Sequence, residues 1–174
     1  MSVIAFPNFA ETFMRVMHEV VGGFFDGSNH NFGDQTDIAF PQCDIVFNRR
    51  RIDYTSDTPM IIFAGDKVLR HRDQKCNDPN NVRAFAYEAW ASVERSVFVR
   101  TKLYSGNLEQ SFREAVRIYD LLFAVIATEH SAFASRGVKN PMLTVVPAED
   151  PDKENCVVSG VFNCIATATY VRTA

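Results

Sequence analysis

Apolar residues recur at helical spacing near the start of the chain, and polar residues fill the positions between them. The apolar set is Phe9, Phe13, Val16, Met17 and Val20, and the polar set is Glu11, Arg15, His18 and Glu19. This arrangement is typical of an amphipathic helix that covers one side of a core. We predict a helix over residues 8–21, with Asn8 as its N-terminal cap and Gly22 and Gly23 at its end.

Turn-forming residues dominate the chain after this helix. Residues 26–42 are rich in Asp, Asn and Gly, and we predict that they form a loop. Two apolar runs, at residues 43–48 and 60–63, are predicted to be strands. Residues 65–81 are polar, and Asp78-Pro79-Asn80-Asn81 within them indicates a turn.

Apolar and polar residues alternate between residues 84 and 104. A period of two indicates a β-strand that buries one face. A single strand over these residues would extend about 70 Å, whereas a compact chain of this length has a radius of gyration of about 16 Å. The strand must therefore bend, carry a bulge or project from the core as an arm. Because Arg95 interrupts the apolar positions, we expect a bulge beside it.

A second helix is predicted to begin at Asn107, because Asn107 and Gln110 have the spacing of a capping box. Its main apolar stripe consists of Leu108, Phe112, Ala115, Tyr119, Leu122, Phe123 and Ile126. Ile118, Leu121 and Val125 widen this surface beyond the roughly 100° that one core-facing stripe needs. The extra width indicates either deep burial within the subunit or a second packing partner. Ile118, Leu121 and Val125 are therefore candidate residues for self-association.

The chain is predicted to finish with two strands, at residues 142–147 and 156–172, joined by a charged turn. The turn contains Glu149, Asp150, Asp152 and Glu154. Both alternate faces of the last strand are largely apolar, which predicts a central strand covered on both sides.

The predicted helices and strands are grouped along the chain rather than alternating. Such an order is typical of the α+β class. We therefore expect one domain over residues 1–174, in which two main helices pack on an antiparallel or mixed β-sheet. A projecting β-arm is one way to accommodate the long strand.

Composition and charge exclude several function classes. The chain has 174 residues, 47% of them hydrophobic, and a formal net charge of −3. This near balance argues against a dedicated nucleic-acid-binding protein, which normally carries a basic surplus. No apolar stretch reaches the ~20 residues of a membrane span, so we expect no membrane partner. The N-terminus lacks the features of a secretory signal, so we expect the four cysteines to be free and buried.

No motif in the sequence predicts catalysis or cofactor binding. The chain has no nucleophile elbow, phosphate-binding glycine loop or dinucleotide fingerprint. His71 and Cys76 form an isolated pair, whereas structural zinc normally needs four ligands. Glu88 and Glu94 would lie about 20 Å apart on one strand face, too far for paired catalytic carboxylates. We therefore expect a protein that is not an enzyme and needs no metal or organic cofactor.

Several short segments and the order of elements around them are characteristic. A short amphipathic helix leads into Phe24-Phe25-Asp26-Gly27, and Phe40-Pro41 precedes a strand. A long alternating strand precedes a helix, and an acidic turn leads into a strand ending Ala168-Thr169-Tyr170-Val171. In this layout nearly the whole chain resembles the tail terminator proteins of long-tailed bacteriophages, the lambda-type minor tail protein family. The chain is longer than that family, mainly between Phe63 and Val82.

The resemblance implies a structural role in the virion. Such proteins form a hexameric ring at the head-proximal end of the tail tube, where the ring stops tube growth and presents the surface that joins the filled head. The implied partners are further copies of the chain, the tail tube protein and a head-completion or connector protein. The genome would pass through the ring without specific binding. The expected location is the tail or neck, after assembly in the host cytoplasm.

The acidic turn is a candidate for the lumen or rim of such a ring. Carboxylates repel the DNA backbone, whereas every phosphate contact adds salt-dependent affinity that would slow DNA transit. Glu149, Asp150, Asp152 and Glu154 could also lie in outer solvent.

Two other function classes stay open. One is a related neck, tail-completion or tail tube protein with a similar sheet and ring. The other is a small enzyme or ligand-binding domain whose site is assembled from scattered residues.

Overall fold

The computed structural model describes residues 9–47, 56–70, 74–77, 84–104, 106–144 and 157–173, with the backbone alone at residues 66–70, 74–77, 84–90 and 168–173. The helices are α1 (Phe9–Val16), a π-helical segment (Met17–Val21), α2 (Gly22–Phe24), α3 (Leu108–Thr128) and α4 (His130–Ala134). The strands are β1 (Asn29–Phe32), β2 (Gln35–Ala39), β3 (Asp44–Val46), β4 (Met60–Arg70), β5 (Gln74–Asn77), β6 (Ala84–Arg100), β7 (Val138–Leu143) and β8 (Val157–Thr173).

Six strands form the main sheet. Its order is β3-β4-β6-β8-β7, and β5 also pairs with β6. The pair β3–β4 is parallel, and the remaining pairs are antiparallel. β1 and β2 form a separate antiparallel hairpin. This mixed sheet with helices confirms the predicted α+β class.

The hydrophobic core lies between the helices and one face of the sheet. Phe13 of α1 contacts the rings of Phe47, Phe63 and Phe162, with centroid distances of 6.1, 5.8 and 5.7 Å. The buried residues of α3 join the same core. Burying one such apolar side chain stabilises the fold by about 1.5–3 kcal/mol, so α1 and α3 are fixed mainly by this face.

The opposite face of the sheet is partly open, and we call it the open face. The prediction that the last strand is covered on both sides is therefore wrong. Phe162 and Cys164 of β8 are buried on the helix side, whereas Ser159 and Asn163 on the open face are exposed. The prediction rested on the apolar residues at both alternate sets of positions along β8. Only the set that carries Phe162 is covered, because helices α1 and α3 pack on that side of the sheet.

The start of α3 has one half of the predicted capping box. The Asn107 carboxamide oxygen accepts a hydrogen bond from the Gln110 backbone N–H at 3.1 Å, and the Asn107 amide nitrogen donates to the Gln110 side-chain oxygen at 3.2 Å. The first contact satisfies a backbone N–H that the helix end otherwise leaves without a partner. The second joins two side chains, and the Asn107 N–H donates to the Tyr104 carbonyl oxygen instead.

The first helical region continues past its predicted end. Gly22 and Gly23 are themselves helical, and the Phe25 N–H donates to the Val21 carbonyl oxygen at 3.1 Å. Met17, Val20 and Val21 remain buried in the core along this stretch. Their packing outweighs the low helix propensity of glycine, which costs about 1 kcal/mol per residue. The predicted cap Asn8 lies outside the described residues.

Two segments in which no strand was predicted contain strands. The predicted loop 26–42 holds the β1–β2 hairpin, whose Phe32 and Ile38 pack against the core. The polar stretch 65–81 continues β4 to Arg70 and then forms β5. The turn predicted at residues 78–81 lies outside the described residues. Both extensions find main-chain partners along β6, and this long-range pairing outweighs the local polar pattern. Near the C-terminus, β7 begins at Val138, before the predicted start at Met142.

The bulge expected beside Arg95 is present, but the extra residue lies on the neighbouring strand. Ala64 pairs with Ser96 and Lys67 with Glu94, so that Gly65 and Asp66 together oppose Arg95. Gly65 has a φ of 100°, a conformation that favours glycine. The buried Arg95 guanidinium donates a hydrogen bond to the Gly65 carbonyl oxygen and lies 5.4 Å from the Phe13 ring centroid. Arg95 thus links the bulge to α1.

The pairing of β6 with β8 is longer than the helix that covers it. The two strands pair over all 17 residues of each, a length of about 55 Å. The 21 residues of α3 span about 31 Å, which corresponds to roughly nine or ten strand residues. The pairing therefore continues beyond the reach of α3. We call residues 84–90 of β6, residues 168–173 of β8 and β5 the distal ladder.

Candidate assembly surfaces

Two of the three α3 residues proposed for self-association lie in the core of the chain. Ile118 and Val125 have exposed fractions of 0%, and Leu121 is half-buried and packs against the same core. Deep burial within the subunit thus accounts for much of the extra apolar width of α3. A role of this face in self-association stays a prediction, and it would depend on Leu121.

The acidic turn proposed for the lumen or rim lies outside the described residues. This applies to Glu149, Asp150, Asp152 and Glu154. Their placement in a ring stays a prediction.

Several large apolar side chains are exposed. Met142 on β7 has an exposed fraction of 65%, and Leu108 and Leu103 have 53% and 43%. Leu103 and Leu108 flank the turn between β6 and α3, which is closed by a hydrogen bond from the Asn107 N–H to the Tyr104 carbonyl oxygen. The sequence placed Leu108 in the core stripe. It is exposed because it is the first residue of α3.

A shallow pocket of about 250 Å³ opens on the sheet. It is lined by Ser92, Val93, Glu94, Asn140, Asn163, Cys164 and Ile165. A carboxylate, two carboxamides and a hydroxyl lie among these residues, so a small polar group could bind there. Among the described residues, no cluster of three or more His, Cys, Asp or Glu side chains could hold a metal ion.

The described cysteines are buried thiols, as predicted. Cys43 and Cys164 are free, and burial raises the pKa of each thiol to about 12. For Cys164, the nearby Arg95 guanidinium lowers the pKa but does not outweigh burial. Both thiols therefore stay protonated near neutral pH and are poor nucleophiles.

A polar contact fastens the base of the β1–β2 hairpin. The Asp26 carboxylate lies 2.9 Å from the His30 ring nitrogen Nε2 and accepts a hydrogen bond from the Ser28 N–H at 2.9 Å. The hydrogen bond with His30 has the largest effect in lowering the pKa of Asp26, and the hydrogen bond from Ser28 lowers it further. The His30 ring also lies beside the Phe24 and Phe40 rings. The hairpin is thus attached to the core by aromatic packing and by this contact.

The edges of the main sheet differ in their capacity to pair with another strand. On β7, Asn140 and Pro141 together oppose Cys164 of β8, and Asn140 has a φ of 50°. A bulge and a proline discourage pairing at a sheet edge. The pairing of β7 with β8 ends at Val138 and Ala166. Beyond that point, no strand in the described part of the chain pairs with the outer side of β8.

Comparisons with known proteins supply no family for the chain. No protein-family model matches it, and no curated protein matches its sequence. No helix in the described ranges is long and apolar enough to cross a membrane. The resemblance to tail terminators stays a prediction from the order of the elements.

Proposed function

We propose that the chain is a structural phage protein that assembles with copies of itself into a ring on the head-proximal end of a tail tube. The ring ends polymerisation of the tube and presents the surface to which the filled head joins. A hexamer is the expected ring, with the tail tube protein and a head-completion or connector protein as partners. DNA passes through without specific binding, and the protein resides in the virion tail or neck.

The observation that carries this proposal is the excess length of the β6–β8 pairing. The paired strands extend roughly 25 Å further than α3. Strands with an unpaired edge present main-chain groups that another chain can satisfy. A contact between unlike surfaces of identical subunits repeats from copy to copy and closes into a ring when the rotation allows. The distal ladder therefore suits a ring-forming subunit.

Exposed apolar side chains support the same proposal. Met142 lies on an edge strand, and Leu103 and Leu108 lie at the turn between β6 and α3. Apolar side chains that are exposed in one subunit can be buried when another chain packs on them. These residues add two further regions that can contact copies of the chain, the tube or the head connector.

Inhibition of tube growth tests the proposed function. Purified protein is added to polymerising tail tube protein, and tubes are counted and measured by electron microscopy. We expect a ring-shaped density at one end of each tube and a stop in elongation. Heads should then join only the capped tubes. A chain that stays monomeric at high concentration and leaves tube length unchanged would contradict the proposal.

The same experiment addresses the related classes. A tail tube protein would form tubes by itself, and a neck or completion protein would bind heads or finished tails without stopping growth. A ligand-binding domain is the second candidate, because of the pocket beside Glu94. That reading requires a monomer whose thermal stability rises with a small polar ligand, with the rise abolished by Glu94→Ala.

A further inference from the structure

The direction of the main-chain groups along β8 follows from two hydrogen bonds. The Thr167 N–H donates to the Gly137 carbonyl oxygen at 2.7 Å, and the Val161 carbonyl oxygen accepts from the Thr144 N–H at 3.0 Å. Gly137 and Thr144 flank β7, so Thr167 and Val161 both direct their main-chain groups away from β6. In antiparallel strands this direction alternates residue by residue.

The alternation continues to the end of β8, because its pairing with β6 shows no register shift. Thr169, Val171 and Thr173 therefore direct their N–H and C=O groups to the same side as Thr167. The β7 strand no longer pairs there. In the described ranges, these three residues thus form an edge without a partner strand.

The residues of this edge favour strand pairing. Residues 166–173 read Ala-Thr-Ala-Thr-Tyr-Val-Arg-Thr. This segment contains no glycine or proline and is rich in β-branched and aromatic residues, which favour strands. The β7 edge, by contrast, carries a bulge and Pro141. The fold thus obstructs pairing along β7 and leaves it open along the distal part of β8.

The other side of the distal ladder presents a second edge. Thr167 pairs with Trp90, and its main-chain groups are directed away from β6. The main-chain groups of Trp90 are therefore directed away from β8, and those of the other even-numbered residues of β6 lie on the same side, toward β5. Glu88 pairs with Gln74 on that side. Lys75 and Asn77, at the alternate positions of β5, therefore direct their main-chain groups outward. No strand in the described residues pairs with this outer side of β5.

We propose that the edge formed by Thr169, Val171 and Thr173 in one copy pairs through main-chain hydrogen bonds with Lys75 and Asn77 of β5 in a second copy. A second copy is the fitting occupant because each chain carries both unlike edges on the same ladder. Such a contact is heterologous and continues the sheet from copy to copy. The inference rests on the proposed function only for the closure of this assembly into a ring.

Proline substitutions at neighbouring positions test the edge. Val171→Pro removes an outward N–H, and edge strands tolerate proline at such positions. We expect its association constant, measured by sedimentation, to fall at least about tenfold, with the melting temperature close to that of the parent. Val171→Thr keeps the N–H and should assemble like the parent. Tyr170→Pro removes a hydrogen bond to β6, so it should lower the melting temperature of the subunit.

The opposite edge has its own variant. Lys75→Pro should weaken association as Val171→Pro does, because it removes an outward N–H of β5. Association of Val171→Pro at the parent's strength would overturn the proposal. Loss of association in Val171→Pro but not in Lys75→Pro would overturn the choice of β5 as the partner strand.

Amide hydrogen exchange on the unsubstituted protein provides a second measurement that does not depend on a variant's folding. We expect the amides of Thr169, Val171 and Thr173 to exchange at least about tenfold more slowly in the assembly than in the dilute subunit. The Thr167 amide, already bonded to Gly137, should be protected in both states. Equal exchange of the three edge amides in the two states would overturn the proposal.

The outcomes separate this inference from the proposed function. Protection of the edge in an assembly that leaves tube growth unchanged would support the inference and contradict the proposed function. Arrest of tube growth without protection of the edge would support the proposed function and overturn the inference.

Discussion

Gly160 of β8 lies directly beneath the side chain of Tyr119 on α3. A Cβ atom at position 160 would be 1.8 Å from the Tyr119 hydroxyl oxygen and 2.9 Å from the adjoining ring carbon. The Tyr119 hydroxyl donates a hydrogen bond to the Thr144 carbonyl oxygen at 2.9 Å. Tyr119 has an exposed fraction of 1%. Gly160→Ala must therefore displace a buried ring and disturb this hydrogen bond.

The size of the effect is set by opposing contributions. Overpacking a core costs about 1–3 kcal/mol, and the loss of a buried hydrogen bond costs about 1 kcal/mol more. Replacing glycine by alanine within a strand recovers about 0.5–1 kcal/mol. We expect Gly160→Ala to lower the free energy of unfolding by about 2–3 kcal/mol. Denaturation by urea, followed by circular dichroism, measures the change.

A double-mutant cycle with Tyr119→Phe identifies the cause. In the parent, removing the hydroxyl should lower the free energy of unfolding by about 1 kcal/mol. In the Gly160→Ala variant the same change should have little effect or should stabilise the chain, because it removes the atom that overlaps most closely with the new Cβ. The coupling energy should be about 1–2 kcal/mol. Gly23→Ala is the matched control, because nothing lies within 4 Å of its Cβ position. A cost below about 0.5 kcal/mol for Gly160→Ala, or a coupling energy near zero, would refute the reasoning.

Three further predictions concern the helix cap, the core face of α3 and the buried thiols. Asn107→Ala should lower the free energy of unfolding by about 1 kcal/mol, and Asn107→Ser by less, because serine keeps a cap acceptor; equal losses in urea titrations would contradict this. Ile118→Asp should unfold the chain, since it buries an unpaired charge at a cost of at least about 4 kcal/mol. Leu121→Asp should keep the fold and weaken self-association in sedimentation experiments, and a folded Ile118→Asp variant would disprove the burial. Because the folded pKa of Cys43 and Cys164 is about 12 and the ordinary value is 9.0, the unfolded chain loses these protons first. Stability should therefore fall as pH rises from 9 toward 12, and Cys43→Ala should make the fall in urea titrations shallower.

Local patterns in the sequence are sufficient for several elements. The side chain of Asn107 caps a helix whose first turn contains Gln110, and both residues are close together in sequence. The alternation around Val93, Val97 and Val99 specifies a strand with one buried face, and the structure buries these residues. Such signals survive folding because they depend on neighbours along the chain and on the burial of one face. They also suffice for the α+β class.

Other features were decided by contacts between distant parts of the chain. Gly22 is helical because Met17 and Val21 are buried in the core, whereas local propensity predicts an end there. The polar stretch after Phe63 extends β4 and forms β5 because β6 offers them main-chain partners. The hydrogen bonds of a β-ladder join main-chain groups and depend little on side-chain polarity. The pattern of polar and apolar residues therefore could not reveal these strands.

The proposed assembly edge of β8 likewise depends partly on sequence and partly on tertiary structure. The alternation of apolar and polar residues predicts the length of β6. The open edge of β8, by contrast, depends on where β7 stops pairing, at Val138. The orientation of Thr169 and Val171 follows from the hydrogen bond between Thr167 and Gly137, residues far apart in sequence. Likewise, Ile118 and Leu121 belong to one apolar face, and only the packing of α3 on the sheet makes the first inaccessible. The sequence determines which residues can be buried or paired. The tertiary arrangement determines which of them stay exposed, because each core contact and ladder hydrogen bond removes its groups from the surface.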